Sequence, residues 1–288
     1  MHRFYINPDD IEGNKATIVG QDAKHLVNVL RLVSGNIVEL VDGVGTHYLS
    51  EIDFATSKKV VLKIIEKSFL KAESPAHITI AQGVLKDNKM DVILRHLTEL
   101  GIKEWIPFFA SRSVPSPNPN KMKNDLIIPE SKFSNKTKGQ KINNNIEISN
   151  VNPKIKDVRV ERWERIARES IKQCGRSVMP IIHKPISYDE MLIQSDTYCE
   201  KIVFWENATT PIDLIRERQE RVRENRIIVM IGPEGGFSEQ EVNIAKEHGF
   251  KAFSLGSRIL RAETASIVAS TLIQNIFGDL GKNNRVVP

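Results

Sequence analysis

The sequence predicts an α/β protein, in which a mainly parallel sheet covered by helices on both faces follows a small antiparallel β module. Two observations carry this. From His77 onward, the apolar runs HITIAQGVL, WIPFFAS, KIVFWEN and RIIVMIG alternate with stretches of helical period, the grammar of strand-helix-strand units. Before them RFYI, ATIV, NIVELV, HYLSEI and KKVVLKII follow at short spacing, broken by Gly35, Gly43 and Gly45, as in a small barrel. At 288 residues the chain exceeds one ordinary core, so two domains are expected, at 1–72 and 73–288.

In the first module DGVG, Asp42 to Gly45, supplies a hairpin turn because its glycines accept positive φ. HLVNVLRLVSG, His25 to Gly35, carries Leu26, Val29, Leu30 and Val33 at helical spacing and leaves Arg31 on or near the other face. In the second, DVILRHLTEL sets Val92, Ile93, Leu97 and Leu100 on one side and is capped by Gly101. ERWERIARESIKQCG aligns Trp163, Ile166, Ala167, Ser170 and Cys174, with Gly175 as its cap. DLIRERQERVREN reads as a charged helix. Ser238 with Glu241 three residues later forms a capping box, and Gly249 closes that helix. AFSLG is then a short strand, LGSRILRAETA a connecting loop, and Ala265 to Phe277 a final apolar helix.

Composition places the chain among globular proteins, with 40 % hydrophobic and 27 % charged residues. No apolar run approaches the ~18 residues of a bilayer span. The start MHRFYINPDD resembles neither a secretory nor a transit signal, so a cytoplasmic protein is expected. Net charge is +5, but Arg112 to Arg176 holds 15 Lys and Arg against 7 Asp and Glu, leaving the remainder near −3. Such a belt suits a polyanion such as nucleic acid, and equally a solvated lysine-rich loop. Within it, about 113–157, five prolines with many Asn and Lys predict a flexible insertion. Cys174 and Cys199, far apart and without CxxC spacing, read as small apolar fillers.

Several chemistries fail by inspection. No GxxxxGK[ST] occurs, GVGTHY has two of the three glycines of a dinucleotide fingerprint, and GFSEQ lacks the second glycine of GxSxG. Seven histidines without paired spacing point to no metal. What remains is two loops that each follow a strand, IGPEGGFS and SLGSRILRAETA, where open α/β sheets bind ligands. Gly232, Gly235, Gly236 and Gly256 would let main-chain groups approach a ligand, with Ile231, Leu255, Ile259 and Leu260 around it. Such a site suits a neutral or cationic ligand better than a triphosphate. Two tight turns ended by helix caps would account for Ser238 and Glu241, but not for four glycines beside Arg261 and Glu263.

IGPEGGFSEQEV together with LGSRILRAETA resembles the signature of the RsmE-type methyltransferases of the SPOUT superfamily. RFYI, HLVNVLRLVSG, LKDNKMDVILRHLTELGI and ERWERIARESIKQCGRSVMP extend the resemblance along most of the chain. It implies an N-terminal PUA-like RNA-binding β-barrel and a C-terminal α/β trefoil-knot domain that holds S-adenosyl-L-methionine. It further implies a homodimer that methylates N3 of a uridine in 16S rRNA of the small ribosomal subunit. Cofactor contacts then fall to Ile231, Gly232, Pro233, Glu234, Gly235, Gly236, Leu255, Gly256, Ile259, Leu260, Arg261, Ala262, Thr264 and Ala265. Arg261 is expected to stabilise negative charge on the uracil oxygens, and Glu263 or water to accept the N3 proton. Capping of the knot is the other reading of Arg261. Candidates for RNA docking are Arg3, Arg31, Lys86, Lys89, Arg112 and Arg176. Ser257, where relatives usually have proline, and the long insertion depart from the pattern. A non-catalytic RNA-binding assembly factor, or a SPOUT activity on ribose or tRNA, stays open beside this reading.

Overall fold

The structure, a computed structural model, describes residues 1–69, 72–114, 158–214 and 226–281. The insertion from 115 to 157 and the expected charged helix beyond Leu214 lie outside the described residues. The first module is a six-stranded sheet made of β1 (Arg3–Tyr5), β2 (Ile11–Glu12), β3 (Lys15–Val19), β4 (Ile37–Val41), β5 (Thr46–Ala55) and β6 (Lys59–Phe69). Its order is β1-β4-β5-β6-β3-β2. Every neighbouring pair is antiparallel except β1 with β4, a parallel pair that the sequence did not announce. Alternation along the strands puts Ala16, Ile18, Val38, Leu40, Val60 and Leu62 into one core.

The helix expected over His25–Gly35 is displaced. Helix α1 spans Gly20–Lys24 and widens into a π-type turn over His25–Val29. Leu26 is buried as expected, but Val29 and Val33 are 65 % and 61 % exposed. The chain leaves the helix at Arg31, which sits at φ 54°, and the Asn36 side chain takes the Val33 N–H at 2.9 Å. Three β-branched valines within the segment weaken any continuation.

The larger domain is built on β7 (His77–Gly83), β8 (Glu104–Phe109), β9 (Ile181–Ile182), β10 (Ile186–Ser187), β11 (Glu200–Phe204), β12 (Arg226–Ile231) and β13 (Lys251–Phe253). The order is β10-β8-β7-β12-β11-β13 with β9 on β8, and all pairs are parallel. Helices α2 (Lys89–Glu99), α3 (Val158–Cys174) and α6 (Ala262–Phe277) pack on one face, and α4 (Tyr188–Gln194) and α5 (Glu239–Glu247) on the other. In β12, Ile227 and Val229 enter the first core while Ile228 and Met230 enter the second. Burial on both faces is why this strand reads as an unbroken apolar run. Helix α6 starts at Ala262, three residues earlier than expected, because Arg261 is extended (φ −63°, ψ 150°) and serves as N-cap.

Polar ties join the two sheets. Arg176, expected to dock RNA, is 2 % exposed and internal, which corrects that expectation. It donates to both Glu73 oxygens at 3.2 and 3.0 Å and to Thr98 O at 2.8 Å, while Lys103 reaches Glu73 at 2.7 Å. A guanidinium buried with a carboxylate is a structural pair, since exposing it to RNA would remove the more deeply buried of Glu73's two cationic partners. Arg3 is likewise engaged, with Glu39 at 3.0 and 2.7 Å and Lys172 O at 2.8 Å. The hairpin turn is held by Asp42, whose Oδ1 accepts from Val44 N and Thr46 N at 2.9 Å each. Its glycines bond across to the segment after α3, Met179 N to Gly43 O and Gly45 N to Ser177 O.

Candidate functional site

In a parallel sheet all strands point the same way, so the loops after β7, β8, β11, β12 and β13 gather at one edge. The turn after β12 is packed tightly there. A Cβ on Gly83, at the end of β7, would lie 2.6 Å from Pro233 N and 2.8 Å from Pro233 Cδ. A Cβ on Gly232 would meet the Phe237 ring at 3.2 Å, one on Gly235 would meet Arg112 Cβ at 2.9 Å, and one on Gly236, at φ 65°, would meet the Glu206 carboxylate. These three glycines therefore let protein close on protein. Of the four glycines expected to clear space for a ligand, Gly256 alone has nothing within 4 Å of its Cβ position.

Side chains from neighbouring loops fix this turn. Arg112 donates through Nη1 to Gly235 O at 3.0 Å and Phe237 O at 3.4 Å. Lys89 Nζ meets Glu234 at 2.8 Å, and the Lys86 N–H donates to the same oxygen at 3.2 Å. Arg112 and Lys89, expected on RNA, thus also contact the turn, Arg112 from an exposed position, while Arg31 and Lys86 have exposed side chains as well. Burial pushes the Glu234 carboxyl up, but Lys89 and nearby N–H donors outweigh it and hold it below the usual value. The hydrogen bond to Glu234 raises Lys89, which also feels the charges of Glu263 and Arg261. The turn closes into α5 through the expected capping box: Ser238 Oγ takes the Glu241 N–H at 3.2 Å, and Glu241 takes the Ser238 N–H at 2.9 Å. Ser111 N adds a bond to Glu241 at 2.7 Å.

The first turn of α6 meets the same place. Gln82, buried at the end of β7, donates through Nε2 to Gly83 O at 3.0 Å and Gly232 O at 3.4 Å, and its Oε1 accepts from Ser266 Oγ. On that turn Arg261 is exposed, and Glu263 carries a buried Oε2 without a hydrogen-bond partner. Leu255 and Ala265 pack on the core and Ala262 is buried; Leu260 is half-buried and Thr264 exposed. Ile259 is 88 % exposed. The loop after β11 lies alongside, with Trp205 N on Phe253 O at 3.1 Å and Ser254 N on Thr210 O at 2.9 Å. Its outer side borders a cavity of about 440 Å³ lined by Trp205, Thr209, Lys246, Phe250 and Phe253 among others; none of the residues expected to hold a cofactor lines it.

Gln82, Ser266 and Glu206 were not singled out in the sequence. A polar residue ending an apolar strand was the available signal for Gln82, since buried amides require partners. The unpaired carboxylate oxygen at Glu263 calls for a cationic or N–H-bearing ligand, and the open side of Gly256 leaves room near the main chain. A cationic sulfonium cofactor suits the neighbourhood of this carboxylate; a polyphosphate does not. A Cβ at residue 83 would push the turn off β7. Gly83→Ala is expected to lower stability by about 1–3 kcal/mol and to weaken S-adenosylmethionine binding, as read by thermal unfolding and calorimetric titration. Unchanged affinity would mean that the turn does not hold the donor.

At the opposite edge of the sheet lies a separate polar cluster. Glu104 accepts from His183 at 2.6 Å, Tyr198 OH at 2.8 Å, Thr79 at 3.2 Å and His77 at 3.3 Å. Burial opposes its ionisation, yet these donors hold it well below the usual carboxylate range, and burial pushes Tyr198 up to about 12. Thr79 also donates to Tyr198 OH at 3.1 Å, so the carboxylate sits in a shared hydrogen-bond network. Among the described residues no group of His, Cys, Asp and Glu could hold a metal ion, and no helix is long and apolar enough to cross a membrane.

Residues 72–127 and 142–274 match the family model described as RNA methyltransferase domain, and residues 18–65 match the RNA methyltransferase PUA domain. Ribosomal RNA small subunit methyltransferase E of Buchnera aphidicola is 30 % identical over 280 residues, covering 96 % of this chain and 94 % of that protein. Its counterpart from Bacillus subtilis is 26 % identical over 279 residues, covering 95 % and 96 %. A crystal structure of the Neisseria gonorrhoeae enzyme of that name, bound to S-adenosyl methionine, superposes with a TM-score of 0.74 at 27 % identity, covering 97 % of this chain and 99 % of that one. Sheet order, glycine turns and these full-length likenesses agree, and the chain belongs to the RNA methyltransferase family of ribosomal RNA small subunit methyltransferase E, with its SPOUT-type α/β domain and N-terminal PUA domain.

Proposed function

We propose that this chain transfers a methyl group from S-adenosylmethionine to N3 of a uridine in 16S rRNA of the small ribosomal subunit. It acts as a cytoplasmic homodimer, with residues 1–72 as the RNA-binding module and 73–288 as the catalytic one. The observation that carries the reading is the first turn of α6, where an exposed Arg261 stands two residues from the unpaired buried oxygen of Glu263. That turn is tied through Ser266 and Gln82 to the glycine turn after β12.

The sulfonium, when bound, supplies a methyl group already activated toward a nucleophile, so the protein's task is alignment and management of charge. Main-chain groups of 231–236 and 255–265 would hold the donor. Uracil N3 has to lose a proton before or during attack, and negative charge then spreads onto its carbonyl oxygens. The Arg261 guanidinium, beside the partial positive charge of the α6 N-terminus, stabilises that charge. Glu263 Oε2, with no partner of its own, accepts the proton. Because N3 lies on the pairing edge, the uridine reaches the site unpaired or flipped out. Arg31, Lys86 and Arg112, all exposed, are the docking candidates on the surface.

The test is to incubate the protein with labelled S-adenosylmethionine and small subunits from cells lacking the modification, then to map the product nucleoside. N3-methyluridine in 16S rRNA is expected. Ribose methylation, or transfer to tRNA, would place the chain elsewhere in the superfamily, and donor binding without transfer would make it an assembly factor.

A further inference from the structure

Gln82 is wholly buried, and each polar atom of its amide is engaged. Nε2 faces two carbonyl oxygens, Gly83 O and Gly232 O, so the amide cannot be flipped without setting oxygen against oxygen. Its Oε1 is thereby committed to the Ser266 hydroxyl, which also lies 2.9 Å from Ala262 O. Ser266 is buried on α6, three residues after Glu263 and five after Arg261. A helix is stiff over that length. One side chain thus connects the end of β7, the glycine turn after β12 and the helical turn that bears both proposed reacting groups.

We infer that Gln82 and Ser266 are a positioning pair, which sets the first turn of α6, and with it Arg261 and Glu263, against the donor turn. This rests on the reading of Arg261 and Glu263 given above. Neither residue touches the reacting atoms. Loss of the pair should leave the fold standing but let that turn shift, and misplacement of about 1 Å costs on the order of a hundredfold in rate.

Ser266→Ala, Gln82→Met, which keeps the length of the side chain, and the double variant test it. Three quantities are read: the single-turnover methyl-transfer rate at saturating donor and rRNA, amide hydrogen exchange of residues 261–266 without donor, and the thermal midpoint. Each single change is expected to slow transfer by about 10- to 100-fold and to speed exchange at 261–266. The double variant should be no slower than the slower single one, because both changes break the same link. Ser266→Thr, which keeps the hydroxyl, should restore the rate. Unchanged exchange at 261–266, or rate losses that multiply in the double variant and follow the thermal midpoint, would overturn the inference. Faster exchange in the variants combined with a wild-type protein that transfers no methyl would instead refute the proposed function and leave the pairing intact.

Discussion

Arg261→Ala is expected to all but abolish methylation while leaving affinity for S-adenosylmethionine nearly unchanged. Removing one well-placed donor to a developing oxyanion costs about 100- to 1,000-fold in kcat. Two features of this residue favour that role over a structural one. As N-cap of α6 it makes no side-chain capping bond, and its side chain is exposed at the sheet edge where the loops after the strands meet. Alanine there removes no packed group, so the thermal midpoint should hold. Lysine, which keeps charge but not the planar fork, should recover part of the rate. Single-turnover kinetics with calorimetric titration of the donor separates the two roles, since a loss of donor affinity as large as the loss of rate would assign Arg261 to shaping the cofactor turns.

Arg176→Met is expected to give the largest change in stability. Removing one partner of a buried ion pair costs about 3–5 kcal/mol where the remaining charge is left uncompensated. Here the remaining charge is Glu73, whose side chain is 4 % exposed and which also accepts the Val178 N–H at 3.1 Å; it keeps Lys103 at 2.7 Å, which places the loss toward the lower end of that range. Burial pushes the Glu73 carboxyl up, but Arg176, followed by Lys103, outweighs burial and holds it below its ordinary value of 4.5. A depressed folded pKa contributes stability that is present above 4.5 and is lost as pH falls through the folded value. The gap between wild type and variant should therefore be wide at neutral pH and narrow as the solution is acidified below 4.5. Chemical denaturation across pH measures it, and a gap that stays constant would show that the pair is not what Arg176 contributes.

Much of the architecture was legible in the sequence because burial writes itself into pattern. The two-sided core of β12 appears as RIIVMI, and the Ser238–Glu241 capping box appears as its spacing. Where the chain stops following local preference, the reading slipped. The π-type turn after α1 depends on Arg31 adopting a left-handed conformation, which no pattern of apolar residues reports. The start of α6 moved because a residue read as part of a loop acts as N-cap without a capping side chain. The glycines of the candidate site, with Arg261 and Glu263, stood out in the sequence, but what three of the glycines admit did not. They admit Phe237, Arg112 and Glu206, which converge only after folding. Arginine on paper is a cation free to meet RNA; Arg176 and Arg3 are engaged by Glu73 and Glu39, which lie 103 and 36 residues away in sequence.

The central claim is that the turn after β12 and the segment leading into α6 form one donor site beside Arg261. A crystal structure of the chain grown with saturating S-adenosylmethionine tests it most directly. The donor should contact main-chain groups of 231–236 and 255–265 at once, with its methyl group directed toward Arg261. A donor seated instead in the cavity lined by Trp205, Lys246 and Phe250, or contacting one of the two segments without the other, would contradict the account.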